Sequence, residues 1–177
     1  AMSMMQTAEG AFDEMTNIAY RMKELATQGA SDANGTTEWA AQSAEYAALT
    51  AELNSIVDNT SFGGTKLLDG GKFDAAVKFQ VGSSTNETLD VDITAAFDGT
   101  AGSVDAAIDG IEASGGTAGT FENVGEAQAH LALVDTLIAG IGSARSSLGA
   151  SMNRLEHTMT NVTNMKENTQ AASSTLM

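Results

Sequence analysis

Cysteine and proline are both absent from the 177 residues. Without cysteine there is no disulfide framework, zinc–thiolate site, iron–sulfur cluster or thiol nucleophile, so stability rests on packing. Without proline, and with 30 alanines, the chain lacks its strongest helix breaker and is rich in its best helix former. Aromatics amount to 5%, which leaves little bulk for a wide core and favours thin helical layers. Basic residues are scarce as well: 8 Lys plus Arg stand against 23 Asp plus Glu, a formal net charge of −15. That balance disfavours nucleic acid or an anionic membrane surface as partner. No run of 18 apolar residues occurs, and the first residues have neither the basic start nor the apolar stretch of a secretory leader, so no membrane insertion is expected.

What is present is a repeat. Met4, Ala8, Ala11, Met15, Ile18, Met22 and Leu25 follow one another in steps of three and four, the seven-residue pattern of a coiled-coil seam, and predict a helix over 1–29. Gly29 and the polar run after it supply its stop. Thr36 or Thr37 is placed to cap a second helix, with Glu38 near its positive end and a seam through Trp39, Tyr46, Leu49, Leu53 and Ile56. From about Asn123 the alternation resumes through Ala127, Leu131, Val134, Ile138, Ile141, Arg145, Leu148, Met152, Leu155, Met159 and Val162. A helix of that length reaches ~80 Å and needs a partner along it; Gly140 and Gly142 mark a place where it can bend.

Between these helices the period changes. Val77, Phe79 and Val81, then Leu89, Val91 and Ile93, alternate with polar residues around Gly82–Asn86, which predicts a β-hairpin over 73–97. Residues 98–122 are punctuated by glycines around Val104, Ile108 and Ile111, enough for two or three helical turns. No basic residue stands between Lys78 and Arg145, while 79–144 holds ten acids; such a block reads as a solvated outer face. The fold class expected is therefore mainly α, an elongated antiparallel helical bundle or coiled-coil rod with one β-hairpin. Its divisions are 1–72 (two helices and a turn), 73–97 (hairpin), 98–122 (variable linker) and 123–177 (long helix).

The residues offer little chemistry. His130 and His157 lie about seven turns apart on one helix and cannot meet, and each reads as a surface or seam histidine. No Gly-rich loop ends in Lys-Ser/Thr, and Asp90-Val91-Asp92 has no Glu closing a calcium loop. No enzyme, catalytic residue, metal or cofactor is expected.

Three motifs near the amino terminus carry a resemblance: Gln6–Ala11, Arg21–Gln28 and Asn59–Leu68 (NTSFGGTKLL). With the hairpin residues Phe79–Gly82 and Thr88–Ile93 and the tail Ser147–Thr158, the chain resembles bacterial flagellin over about 1–95 and 126–177. The resemblance implies a structural subunit that self-assembles into the flagellar filament for motility, with other flagellin subunits, a flagellar secretion chaperone and a cap protein as partners. It also implies an extracellular place, reached through the flagellar secretion channel. Flagellins carry further amphipathic segments upstream of where Ala1 stands and downstream of Met177, and these 177 residues alone are expected to stay monomeric. Residues 98–122 stand where flagellins hold variable outer domains and are too short for an enzyme. The hook–filament junction protein shares the terminal pattern and is the close alternative; an adhesin or glycan-binding homologue is a more distant one.

In flagellins sensed by the vertebrate Toll-like receptor, the resemblance implies a contact patch whose matching positions are Arg21, Leu25 and Glu45. Arg21 would give a charge-assisted contact, Leu25 an apolar anchor and Glu45 a carboxylate. Tyr20, Lys23 and Thr27 depart from the usual Gln, Arg and Val. The bland alternative is that Leu25 lies in the seam, as its heptad position suggests, and that Arg21 and Glu45 are solvated helix charges.

Overall fold

The computed structural model describes residues 2–62, 65–66, 77–80, 88–91, 103–114 and 119–176. It is mostly helical: α1 spans Met2–Gly29, α2 Thr36–Asn59, α3 Val104–Ala113 and α4 Val124–Leu176. Two short antiparallel pairs lie between α2 and α3, β1 (Ser61–Phe62) with β2 (Thr65–Lys66) and β3 (Val77–Gln80) with β4 (Thr88–Val91). In the second pair Val77 faces Val91 and Phe79 faces Leu89. The remainder of the 73–97 hairpin expectation, its turn included, lies outside the described residues, as do 98–102 and the side chains of Met159 and Val162.

α1 is the central element, packed on α4 along one side and on α2 along another. Its neighbours fix the directions. Glu9 meets Arg145 and Lys23 meets Asp135, so α1 and α4 run antiparallel; Arg21 meets Glu45 and Gly29 accepts from Trp39, so α2 turns back on α1.

The two-sided packing corrects the expected seams. On α1 the fully buried residues are Met5, Ala8, Phe12, Met15, Ala19, Met22 and Ala26, with Ala11 and Leu25 nearly so, while Met4 and Ile18 are only partly covered. A helix between two partners needs a face wider than one heptad stripe, so a second stripe one residue along joins the first. On α2 the buried line is Ser43, Tyr46, Thr50, Leu53 and Val57, with Trp39, Leu49 and Ile56 at its edge. A count of apolar residues passes over Ser43 and Thr50, yet Thr50 satisfies its hydroxyl on the Tyr46 carbonyl at 3.0 Å and is buried at little cost. On α4 the line is Ala127, His130, Val134, Leu137, Ile141, Ala144, Leu148, Ser151 and Leu155, an unbroken three-four alternation. Leu131, Ile138 and Met152 flank it, partly covered.

Helix ends are set locally. Gly35, not Thr36 or Thr37, caps α2: its backbone is extended (φ −108°, ψ −176°), and its N–H donates to Glu38 Oε2 at 2.9 Å. Asn34 donates to the carbonyls of Gln28 and Ser31, closing α1 from beyond its end. Gly29 ends α1 without a positive φ; it is glycine because a Cβ there would sit 2.9 Å from Phe121 Cδ2 and 3.0 Å from the Ala127 Cβ. Ser103 caps α3 by accepting from the Ala106 N–H, and Val104, Ala107, Ile108 and Ile111 bury its inner face. α4 continues through Gly140, Gly142 and Gly149.

By length and composition the stretch Val124–Thr158 is apolar enough to cross a membrane, which a search for unbroken apolar runs does not reveal. Ala, Leu, Ile and Val raise its average, but its buried line faces the other helices of this chain, and Gln128, Asp135, Thr136, Ser143, Ser146 and Ser147 are exposed.

Candidate interaction surface

Arg21 and Glu45 come together across the α1–α2 groove. Arg21 Nε donates to Glu45 Oε1 at 2.9 Å and Nη2 to Oε2 at 3.1 Å, a two-point fork. Nη1 donates to Glu24 Oε2 at 3.0 Å on the next turn of α1, a partner that the sequence reading did not single out, although the i, i+3 spacing signals it. The two carboxylates, Glu45 first, hold the guanidinium even more firmly protonated than usual. All three side chains are exposed, so water screens the pair and its worth to folding is small.

Beside it, Lys23 donates to Asp135 of α4 at 2.9 Å, which raises the lysine's proton affinity. Tyr20 is the large hydrophobic residue left exposed among the described residues, at 53%. It borders an open groove of about 410 Å³ with Lys23, Glu24, Thr27 and Gln28. Leu25 is not on this surface: at 2% exposure it is part of the core. Its heptad position governs, and the apolar-anchor role is corrected to a packing one.

Two other polar clusters lie elsewhere on the bundle, one half-buried between α1 and α4 and one in the core. Arg145 of α4 donates from Nε and Nη2 to Glu9 Oε1 at 3.1 and 3.0 Å and from Nη1 to Thr16 Oγ1 at 3.2 Å, with Asp13 3.4 Å away. Deeper in, His130 is fully buried among Tyr46 and Phe121, with ring centroids at 5.0 and 6.0 Å. Phe121 stood in a glycine-rich stretch with no periodicity to mark it as core. Among the described residues no three His, Asp or Glu side chains gather as a metal site.

Comparison with known proteins fits this arrangement. The family model of the bacterial flagellin N-terminal helical region matches residues 1–72 and that of the C-terminal helical region residues 131–177. A flagellin of Halalkalibacterium halodurans is 37% identical over 97% of this chain and 58% of its own length. One of Listeria innocua is 30% identical over 98% of this chain and 61% of its own. The chain thus spans about six-tenths of these relatives. The crystal structure of Bacillus cereus flagellin superposes with a TM-score of 0.74 at 26% identity, covering 97% of this chain and 90% of that one. With both terminal regions matched and the same fold joining them, the chain belongs to the bacterial flagellin family.

Proposed function

We propose that the chain is the helical core of a flagellar filament subunit, working outside the cell for motility, with copies of itself as its chief partners. The observation that supports this most is the antiparallel packing of α1 on α4, by which the N- and C-terminal flagellin regions close on each other. On this reading 1–72 and 123–177 are the paired terminal regions, 73–97 the hairpin and 98–122 what stands for the variable outer part. Export through the flagellar channel, a chaperone and a cap protein belong to the same proposal. The test is to express the full gene product that contains this chain in a strain lacking its own flagellin and to examine the cells by electron microscopy. Filaments micrometres long are expected, and Val134→Asp in the α1–α4 seam should abolish them. A short layer at the hook tip would favour the junction protein instead, and no assembly at all would overturn the reading.

We further propose that the Arg21–Glu45 fork is a contact for the vertebrate flagellin-sensing Toll-like receptor. Both side chains are exposed and hold each other in a fixed geometry that costs little to present. Binding of the receptor ectodomain should weaken about thirtyfold or more in Arg21→Ala and Glu45→Ala; unchanged binding in both would remove the assignment and leave the filament reading intact.

A further inference from the structure

His130 makes three contacts from one buried ring. Nδ1 lies 3.0 Å from the Tyr46 hydroxyl on α2. Nε2 lies 3.2 Å from the carbonyl oxygen of Ser114, the C-cap of α3, and 3.0 Å from that of Thr120, shortly before α4. Carbonyl oxygens only accept, so Nε2 carries the hydrogen and shares it between them, and Nδ1 is left as the acceptor for Tyr46. With Tyr46 donating, the tautomer is set by the neighbours, and it is burial that keeps the ring neutral. One side chain ties α2 and α4 to both ends of the connection that joins α3 to α4.

We propose that His130 is a pH-sensitive latch: the neutral ring holds Ser114 and Thr120 against the α2–α4 seam, and it lets them go when Nδ1 takes up a proton from solvent and the charged ring leaves its dry site, since an imidazolium that stayed in place would still donate from Nε2 to both carbonyls. The step is a simple protonation: Nδ1 gains N–H, the ring becomes imidazolium, and no other bond forms or breaks covalently. The Tyr46 hydroxyl then loses the acceptor to which it donates, and a cation stands between two aromatic rings at zero exposure. The groups that face the ring are few. From α2 it is Tyr46, itself held protonated far above its ordinary range by burial. From α3 and the connection it is the two backbone carbonyls, and from α4 it is Glu126. The carbonyls and Glu126 favour the cation, but burial outweighs them and pushes the imidazole below its usual 6.5. Glu126 is also engaged elsewhere, accepting from the Glu122 N–H at 2.8 Å.

The molecule carries its own reporter. Trp39 is the one tryptophan, and it lines an open groove with Thr120 and Glu122, so release of Thr120 changes its surroundings. The experiment follows Trp39 fluorescence and the His130 imidazole NMR signals from pH 7.5 to 5, above the ordinary carboxylate range, with far-UV circular dichroism alongside. A fluorescence step is expected with a midpoint below 6.5 that coincides with protonation of His130, while helix content is kept. His157, exposed on α4, is the control: the step should persist in His157→Gln and vanish in His130→Gln, whose amide donates to the same carbonyls but takes up no proton. Tyr46→Phe provides a second arm, since removing the donor to neutral Nδ1 should move the step to higher pH. A flat Trp39 signal through His130 protonation, a step that survives in His130→Gln, or one that Tyr46→Phe leaves in place would each overturn the latch.

Discussion

Arg145 and Glu9, 136 positions apart in sequence, share one carboxylate oxygen: Nε and Nη2 both donate to Glu9 Oε1, at 3.1 and 3.0 Å. Arg145 flanks the buried line of α4 where its neighbours in the heptad are apolar, so the pair fixes which turn of α4 stands opposite which turn of α1. Sliding α4 by one heptad would leave the guanidinium without Glu9, Asp13 and Thr16. A charged residue in this place costs some stability and limits the alternatives.

Arg145→Ala is expected to lower stability by about 1–2 kcal/mol, since it strips a half-buried carboxylate of its donors. Arg145→Met, which keeps the packing of the stem, should lose less. Urea midpoints of the two variants and wild type check this, and equal losses would show that charge alone matters.

Gly29→Ala is expected to cost about 1–3 kcal/mol through overpacking against Phe121 and Ala127. Replacing Phe121 with Leu in the same chain should recover part of that loss, because the two positions share one space. A double-mutant cycle measures the coupling, and simple additivity would contradict the close approach.

Stability should fall on the alkaline side. Burial raises the Tyr46 hydroxyl above its ordinary 10.0, so the folded state keeps a proton that the unfolded chain gives up. The contribution is fully present below pH 10 and declines as pH rises beyond it. Urea midpoints between pH 9 and 11.5 should drop more steeply in wild type than in Tyr46→Phe.

The antiparallel helices should make a long particle. Small-angle scattering of the 177 residues is expected to give a radius of gyration clearly above the ~16 Å of a compact chain of this length, and a value near 16 Å would refute the rod.

The three long helices were legible because heptad spacing of Met, Leu, Ile and Val is strong over many turns. The buried stripe lies one residue away from the apolar one in places, as apolarity alone does not show that α1 has two partners or that Ser43, Thr50 and Ser151 sit inside. For the candidate surface, residue type could suggest Arg21 and Glu45, but only the fold brings residues 24 apart into a fork. Leu25 shows the limit from the other side, since its period already placed it in the seam. The His130 cluster was illegible: Tyr46, Phe121 and His130 come from three segments, and nothing local marks that they converge.

The seam of α1 is built on thioethers, with Met5, Met15 and Met22 at zero exposure and Met4 partly covered. Packing therefore doubles as protection from oxidants. Peroxide reaches a thioether only where the bundle opens, and each sulfoxide puts a polar oxygen where apolar contact was, so that damage at one turn loosens the next. Met4 is set to oxidise before Met5, Met15 and Met22, and the order in which the sulfoxides accumulate would trace how the helices come apart.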